Sequence, residues 1–250
     1  MKQPAFVTGA TGFTGREVVR LLRERGVPTV AHVRPDSPRL SEWRQRFESA
    51  GVQVDATPWE REAMTGTLKR LQPGFVFALL GTVRARMKSA RTEGRDPASE
   101  SYEAVDYGLT VILLEAALAC GSLPRFIYLS AAGVRDNSGS GYYRARARVE
   151  RRLFESGLTY CIARPSFITG PGRDAPRPAE RIGAALTDGA LRVAGLVGAR
   201  KLRARYASTS NTILAEALVG MALDPGAKNR IFESEDLRRV PGPAGAARTP

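Results

Sequence analysis

The stretch Phe6-Val7-Thr8-Gly9-Ala10-Thr11-Gly12-Phe13-Thr14-Gly15 is a short apolar run that feeds a glycine-rich turn. The turn enters an amphipathic segment carrying Val18, Val19 and Leu22. Strand, turn and helix in immediate succession leave a chain few ways to fold, and they are the setting in which spaced glycines form a dinucleotide site. Each glycine has a physical task there. Gly9 allows a sharp turn after the strand, Gly12 has no Cβ to hold the backbone away from a pyrophosphate, and Gly15 lets the helix approach the sheet. The helix start aims its N–H groups and the positive end of its dipole at phosphate. Thr8, Gly9, Thr11, Gly12, Phe13, Thr14 and Gly15 are the expected cofactor contacts of this motif.

Beyond it the pattern alternates. Residues 27–33 read as a second strand, 41–50 as helix, 51–54 as the start of a short third strand and 60–71 as helix. Residues 74–81 are a continuous apolar run, the mark of a strand buried on both faces of a parallel sheet. Residues 84–101 are charged and glycine-broken, which predicts a mobile loop or an irregular helix start. Helix is expected over 102–119 and 142–155, and strand over 125–129 and 159–163. After Pro165 the pattern is irregular until a helix at 212–223 and a short strand at 230–233. The tail, 241–250, is rich in Pro, Gly and Ala and is expected to be disordered. With no linker or repeat, residues 1–240 read as one α/β domain with a doubly wound parallel sheet. Right-handed crossovers then place the ligand at the carboxyl ends of the strands. The glycine motif, Arg34, Leu80-Gly81-Thr82 and Ser130 all fall there.

Composition narrows the class. A chain of 250 residues with 43% hydrophobic content can bury a full core. No apolar run reaches the roughly 18 residues that span a bilayer, and the N-terminus lacks a signal-peptide pattern. Cys120 and Cys161 read as small buried hydrophobes rather than a disulfide, which fits a reducing cytoplasm. The formal charge of +13 is mostly Arg and is spread along the chain, with local runs at 144–148 and 200–205. No helix-turn-helix, zinc-finger or RNA-binding signature accompanies them, so nucleic acid is not an expected partner and the basic surface is read as drawing anionic cofactors. The single histidine, His32, sits inside the second strand and is expected in the core; no metal site or Ser-His-Asp triad can be built. Asp55, Glu60 and Glu62 read as solvated; Trp59 follows strand three where the adenine edge should pass, and it reads as a packing residue or as a stacking platform for adenine. Oligomeric state is not legible.

Thr8-Gly9-Ala10-Thr11-Gly12-Phe13-Thr14-Gly15, Leu80-Gly81-Thr82, Leu129-Ser130-Ala131-Ala132-Gly133 and Arg164-Pro165-Ser166 together resemble the atypical short-chain dehydrogenase/reductase superfamily, in its NmrA-like and Tat-interacting-protein-like branches. The resemblance covers about residues 4–235. It implies a Rossmann-type domain that binds NAD(P), with Leu80, Gly81, Thr82 and Pro165 among the cofactor contacts. A small irregular region, about 165–210, would hold a small-molecule substrate whose identity the sequence does not give.

The same resemblance implies an active-site Ser and a Tyr-x-x-x-Lys. Ser130 ends strand five, and Tyr142 follows twelve residues on, at the mouth of the next helix. A phenol there can pass a proton to a carbonyl oxygen that the Ser hydroxyl steadies. The position four after Tyr142 holds Arg146 in place of Lys. Arg can bond a ribose and lower the phenol pKa, but it relays protons poorly. Catalytic roles are expected for Ser130, Tyr142 and Arg146, with Arg146 also touching cofactor. Coenzyme choice follows from the end of strand two, where an acid would bond a ribose. Arg34 stands there with Ser37 nearby, which favours the 2′-phosphate of NADP(H) while leaving NAD(H) open. Two functions fit: an oxidoreductase or epimerase on a small carbonyl or hydroxyl compound, or a non-catalytic NADP(H)-binding regulatory or assembly protein that contacts another macromolecule.

Overall fold

The computed structural model of the chain describes residues 3–82, 91–92, 94, 96–170 and 208–239. Nine strands occur among them: β1 (Ala5–Thr8), β2 (Thr29–His32), β3 (Gln53–Asp55), β4 (Phe75–Ala78), β5 (Arg125–Leu129), β6 (Tyr160–Arg164), β7 (Ile168–Thr169), β8 (Thr209–Ser210) and β9 (Arg230–Glu233). Seven form one sheet in the order β3-β2-β1-β4-β5-β6-β9, and β7 pairs with β8 apart from it. Every neighbouring pair in the large sheet is parallel. The reversal of strand order between β1 and β4 opens the crevice in which such sheets take their ligands.

Side-chain alternation builds a core on each face. Ala5 and Val7 of β1, Phe77 of β4, Ile127 and Leu129 of β5 and Cys161 and Ala163 of β6 point to one side. They meet α1 (Phe13–Glu24), α2 (Leu40–Ser49), α6 (Asn211–Leu223) and α7 (Ser234–Leu237). Phe6, Val76, Ala78, Phe126, Tyr128 and Ile162 point to the other, where they meet α3 (Arg61–Leu71), α4 (Thr110–Ala119) and α5 (Gly141–Glu155). This is the doubly wound sheet expected from the sequence. The apolar run at 74–81 belongs to the central strand β4, flanked by strands and covered on both faces.

Two elements differ from the sequence expectation. The helix read at 102–119 begins as a π-helix, Tyr102–Leu109, before continuing as α4. A short 3₁₀ turn, Pro97–Glu100, leads into it. The β7–β8 pair, two residues on each strand, is too short for periodicity to reveal. Arg125 adds a long-range tie: its Nη1 donates to the carbonyls of Met221 (2.8 Å), Ala222 (3.0 Å) and Asp224 (2.5 Å) at the carboxyl end of α6. The tail at 241–250, most of the segment about 165–210 and much of 84–101 lie outside the described residues.

Candidate coenzyme and proton-transfer site

The glycine loop is already shaped. Gly9 has φ of 71°, and its carbonyl accepts the Gly12 N–H at 2.9 Å. A Cβ on Gly9 would run into the carbonyl of Leu79, just past β4. One on Gly15 would run into the Gly9 carbonyl, with Ala10 Cα at 2.9 Å. Gly15 is thus small because the helix start folds onto its own turn, rather than onto the sheet as the sequence suggested. Gly12 is exposed, and its Cβ would meet only the Gly9 oxygen, at 3.1 Å. The protein itself therefore needs little of Gly12; the space before it is open to a ligand. α1 starts at Gly12 with no side-chain cap and no acid in its first turn, the state in which a helix N-terminus best receives an anion. Of the other motif residues, Thr11 is half-buried, Thr14 is buried and the Thr8 hydroxyl donates to the Phe77 carbonyl at 2.9 Å, pinning β1 to β4. The Phe13 carbonyl takes Asn211 Nδ2 at 3.5 Å, which brings the start of α6 to the loop.

At the end of β2, the Ser37 N–H donates to the Arg34 carbonyl at 3.1 Å. Arg34 Nη1 reaches Glu100 Oε1 at 3.1 Å, and its Nε lies 3.6 Å from Asp36. His32 stays in the core as expected, with Nε2 2.8 Å from the Thr57 carbonyl and burial pushing its pKa down. Trp59 packs edge-on against it at 4.8 Å. Asp55 corrects the sequence reading: it is buried and accepts from the Thr57 N–H and hydroxyl at 3.0 and 3.1 Å. It serves the turn after β3, where an unpartnered acid could not be buried.

Past β4 and β5, Arg146 organises the centre. Its buried guanidinium binds Asp106 Oδ1 at 2.7 Å, the Leu80 carbonyl at 3.4 Å and the Leu129 carbonyl. A Cβ on Gly81 would lie 3.0 Å from Arg146 Nη2 and 3.6 Å from Asp106, so a larger residue here would press on the guanidinium. Asp106 also accepts the Thr82 N–H at 3.1 Å. The guanidinium sits 4.7 Å from the centroid of the half-buried Tyr142 ring, which is packed between Tyr102 (5.4 Å) and Tyr143 (5.2 Å). Here the electrostatics differ from the sequence expectation. Burial pushes the Tyr142 phenol above its ordinary value, and the opposing pull of Arg146 does not overcome it. Burial likewise pushes Asp106 up, against the pull of Arg146. Burial opposes the charge on Arg146 too, but Tyr142, Tyr128 and Asp106 around it raise its pKa further, so it is a fixed cation.

Ser130 comes to the same end of the sheet but faces elsewhere. Its hydroxyl donates to Glu150 Oε1 at 2.6 Å, and Glu150 is gripped by Arg164, with Nε at 3.0 Å and Nη2 on the second oxygen. Arg164 in turn reaches Glu233 of β9 at 3.0 Å. With its proton on Glu150, Ser130 can offer a ligand only lone pairs. Pro165 is buried, and its carbonyl takes the Ala132 N–H at 2.8 Å, tying the loops after β5 and β6 together.

Sequence reasoning missed Asp106, Glu150 and Glu100. The signal for the first was an acid inside the apolar stretch 104–119; for the second, the spacing Tyr142, Arg146, Glu150 along one helix face. The surroundings suit a polar ligand: Thr82 Oγ1 and Arg146 Nε are buried and have no hydrogen-bond partner among the described residues. Open space at Gly12, an uncapped helix start and these two groups at the carboxyl edge fit a dinucleotide.

A family model described as NAD(P)H-binding matches residues 9–193. The chain is 33% identical over 171 residues to a chloroplastic divinyl chlorophyllide a 8-vinyl-reductase of Oryza sativa subsp. indica, covering 64% of this chain and 38% of that protein. It is 31% identical over 174 residues to a ceramide reductase of Caulobacter vibrioides, covering 66% and 46%. The chain thus spans less than half the length of these curated relatives. Among solved structures, a UDP-glucose 4-epimerase of Thermotoga maritima aligns with a TM-score of 0.61 at 21% identity, over 92% of this chain and 75% of that one. The NADPH-dependent quinone oxidoreductase QOR2 of Escherichia coli, complexed with NADPH, gives 0.59 at 18% identity, over 92% and 68%. These structural likenesses show the shared fold.

Proposed function

The chain belongs to the NAD(P)H-binding family, and from that premise we propose that it is an oxidoreductase that prefers NADP(H) and interconverts a small carbonyl compound and its alcohol, with Tyr142 as the proton donor in the reductive direction. The observation that carries this is the buried fixed cation Arg146, 4.7 Å from the Tyr142 ring at the carboxyl edge of the sheet. The coenzyme, when bound, supplies hydride. Around it, the glycine loop and the start of α1 hold the pyrophosphate, and Arg34 and Ser37 meet the adenosine end. Leu80, Gly81, Thr82 and Pro165 border the nicotinamide side. Tyr142 keeps its proton through neutral pH because burial raises its pKa, so it can donate to an oxygen that gains charge. Arg146 then stabilises the phenolate left behind, and it needs no proton of its own to move. Ser130, turned onto Glu150, holds the loop after β5 in place.

A second reading, a regulatory or assembly protein that binds NADP(H) without turnover, is favoured by one observation. Arg146 is already committed to Asp106 and two backbone carbonyls. NADPH consumption over a panel of aldehydes, ketones and quinones separates the two. Turnover that falls in Tyr142→Phe by the roughly 10²- to 10⁴-fold of a lost acid supports the reductase; tight NADPH binding with no turnover of any compound supports the second reading. No helix among the described residues is long and apolar enough to cross a membrane. Cys120 and Cys161 are both free and buried.

A further inference from the structure

We propose that Glu100 weakens the preference for NADP(H), by holding the guanidinium that would otherwise receive a 2′-phosphate; this rests on the coenzyme reading above. The acid expected at the end of β2 is absent from the sequence there, yet one is present in space. Glu100 arrives from 66 residues away on the Pro97–Glu100 turn and meets Arg34 Nη1 at 3.1 Å. The two partners differ in exposure. The Arg34 side chain is 36% exposed and open to a ligand, whereas that of Glu100 is 4% exposed. Asp36, at 3.6 Å and 69% exposed, is screened by water and counts for less.

The buried carboxylate treats the two adenosine ends in opposite ways. A 2′-phosphate that engages Arg34 comes to lie beside Glu100, where two anions repel with little water between them. If Arg34 swings to the phosphate, its 3.1 Å contact with the buried carboxylate has to be given up. A ribose 2′-hydroxyl carries no charge and can donate to a carboxylate. Arg34 therefore selects the phosphate and Glu100 subtracts from that selection. The net preference for NADP(H) is smaller than Arg34 alone would give, and removing the charge of Glu100 should enlarge it.

Calorimetric titration of the full chain with 2′,5′-ADP and 5′-AMP isolates this end of the coenzyme. Glu100→Gln keeps the shape and removes the charge, and it should tighten 2′,5′-ADP by roughly tenfold while 5′-AMP stays level or weakens. Glu100→Asp keeps the charge and should keep the ratio near that of the unmodified protein. In an Arg34→Ala background the effect of Glu100→Gln should shrink, because the guanidinium it competes for is gone and only the direct repulsion is left to remove. Melting curves confirm that each variant is folded; if Glu100→Gln does not fold, Glu100→Ala removes the same charge and should show the same tightening of 2′,5′-ADP. An unchanged ratio in Glu100→Gln, or weaker 2′,5′-ADP, overturns the proposal while the coenzyme reading stands. Failure of the unmodified chain to bind NADPH, NADH or either probe overturns both.

Discussion

Gly12 and Gly15 are three residues apart and opposite in what they tolerate. Gly12 has φ of −75° and one neighbour at 3.1 Å, so Gly12→Val should fold normally and lose coenzyme binding, because its side chain fills the space before the helix start. Gly15→Ala places its methyl against the Gly9 carbonyl, and it should cost about 1–3 kcal/mol of stability, as overpacking does. Urea unfolding and NADPH titration of the two variants check the contrast; normal NADPH binding by Gly12→Val would remove the basis for the site. The sequence showed where the glycines stand but not which of them the protein needs for itself, since that depends on a carbonyl six residues back. At Tyr142 the raised phenol pKa gives a pH test. The acid form is the active one for reduction, so reductive kcat should stay level from about pH 6 to 9 and fall only once the medium passes the ordinary phenol value of about 10. The reverse reaction needs phenolate and should rise over the same alkaline range. A reductive rate that falls below pH 9 would exclude Tyr142 as the donor.

At the scale of elements, α5 carries Tyr142, Arg146 and Glu150 on one face, and the π-helix Tyr102–Leu109 brings Asp106 to meet it. The face was legible from spacing. Its partners were not, because Asp106 and Ser130 lie 40 and 20 residues from the groups they bind, and neither separation is a helical or strand period. Asp106→Ala leaves Arg146 buried without its counter-charge and should lower stability by about 3–5 kcal/mol, seen as a lower urea midpoint with unchanged slope. Arg146→Lys keeps a cation but not the planar fork that reaches Asp106 and two carbonyls together. It should lower Tm while turnover is kept or raised, since Lys is what the resembling family places there.

At the scale of the molecule, the sheet was legible because buried parallel strands are written as short apolar runs between helical patterns. Boundaries moved by three residues at most, at the end of β4, and those of β5 and β9 did not move. What joins the two ends of the chain was not legible: α6 packs over α1, and its Leu214, Leu218 and Val219 share a core with Val18 and Leu22. Leu218→Ala, far from the site and fully buried, should cost about 2–5 kcal/mol and leave NADPH affinity per folded molecule unchanged. Calorimetry beside chemical unfolding measures both quantities on one preparation.

Among the described strands, β9 comes last in sequence and outermost beside β6, and this has a consequence for how the protein is made. During synthesis, β6 leaves the ribosome well before residues 230–233 exist, and for seconds its edge shows unpaired N–H and carbonyl groups. Arg164 and Glu150 wait through the same interval without Glu233. A nascent chain halted with β6 outside the ribosome and residues 230–233 not yet made should therefore be the form that chaperones bind, and release should come with the arrival of Arg230–Glu233 rather than with the glycine loop that was translated first.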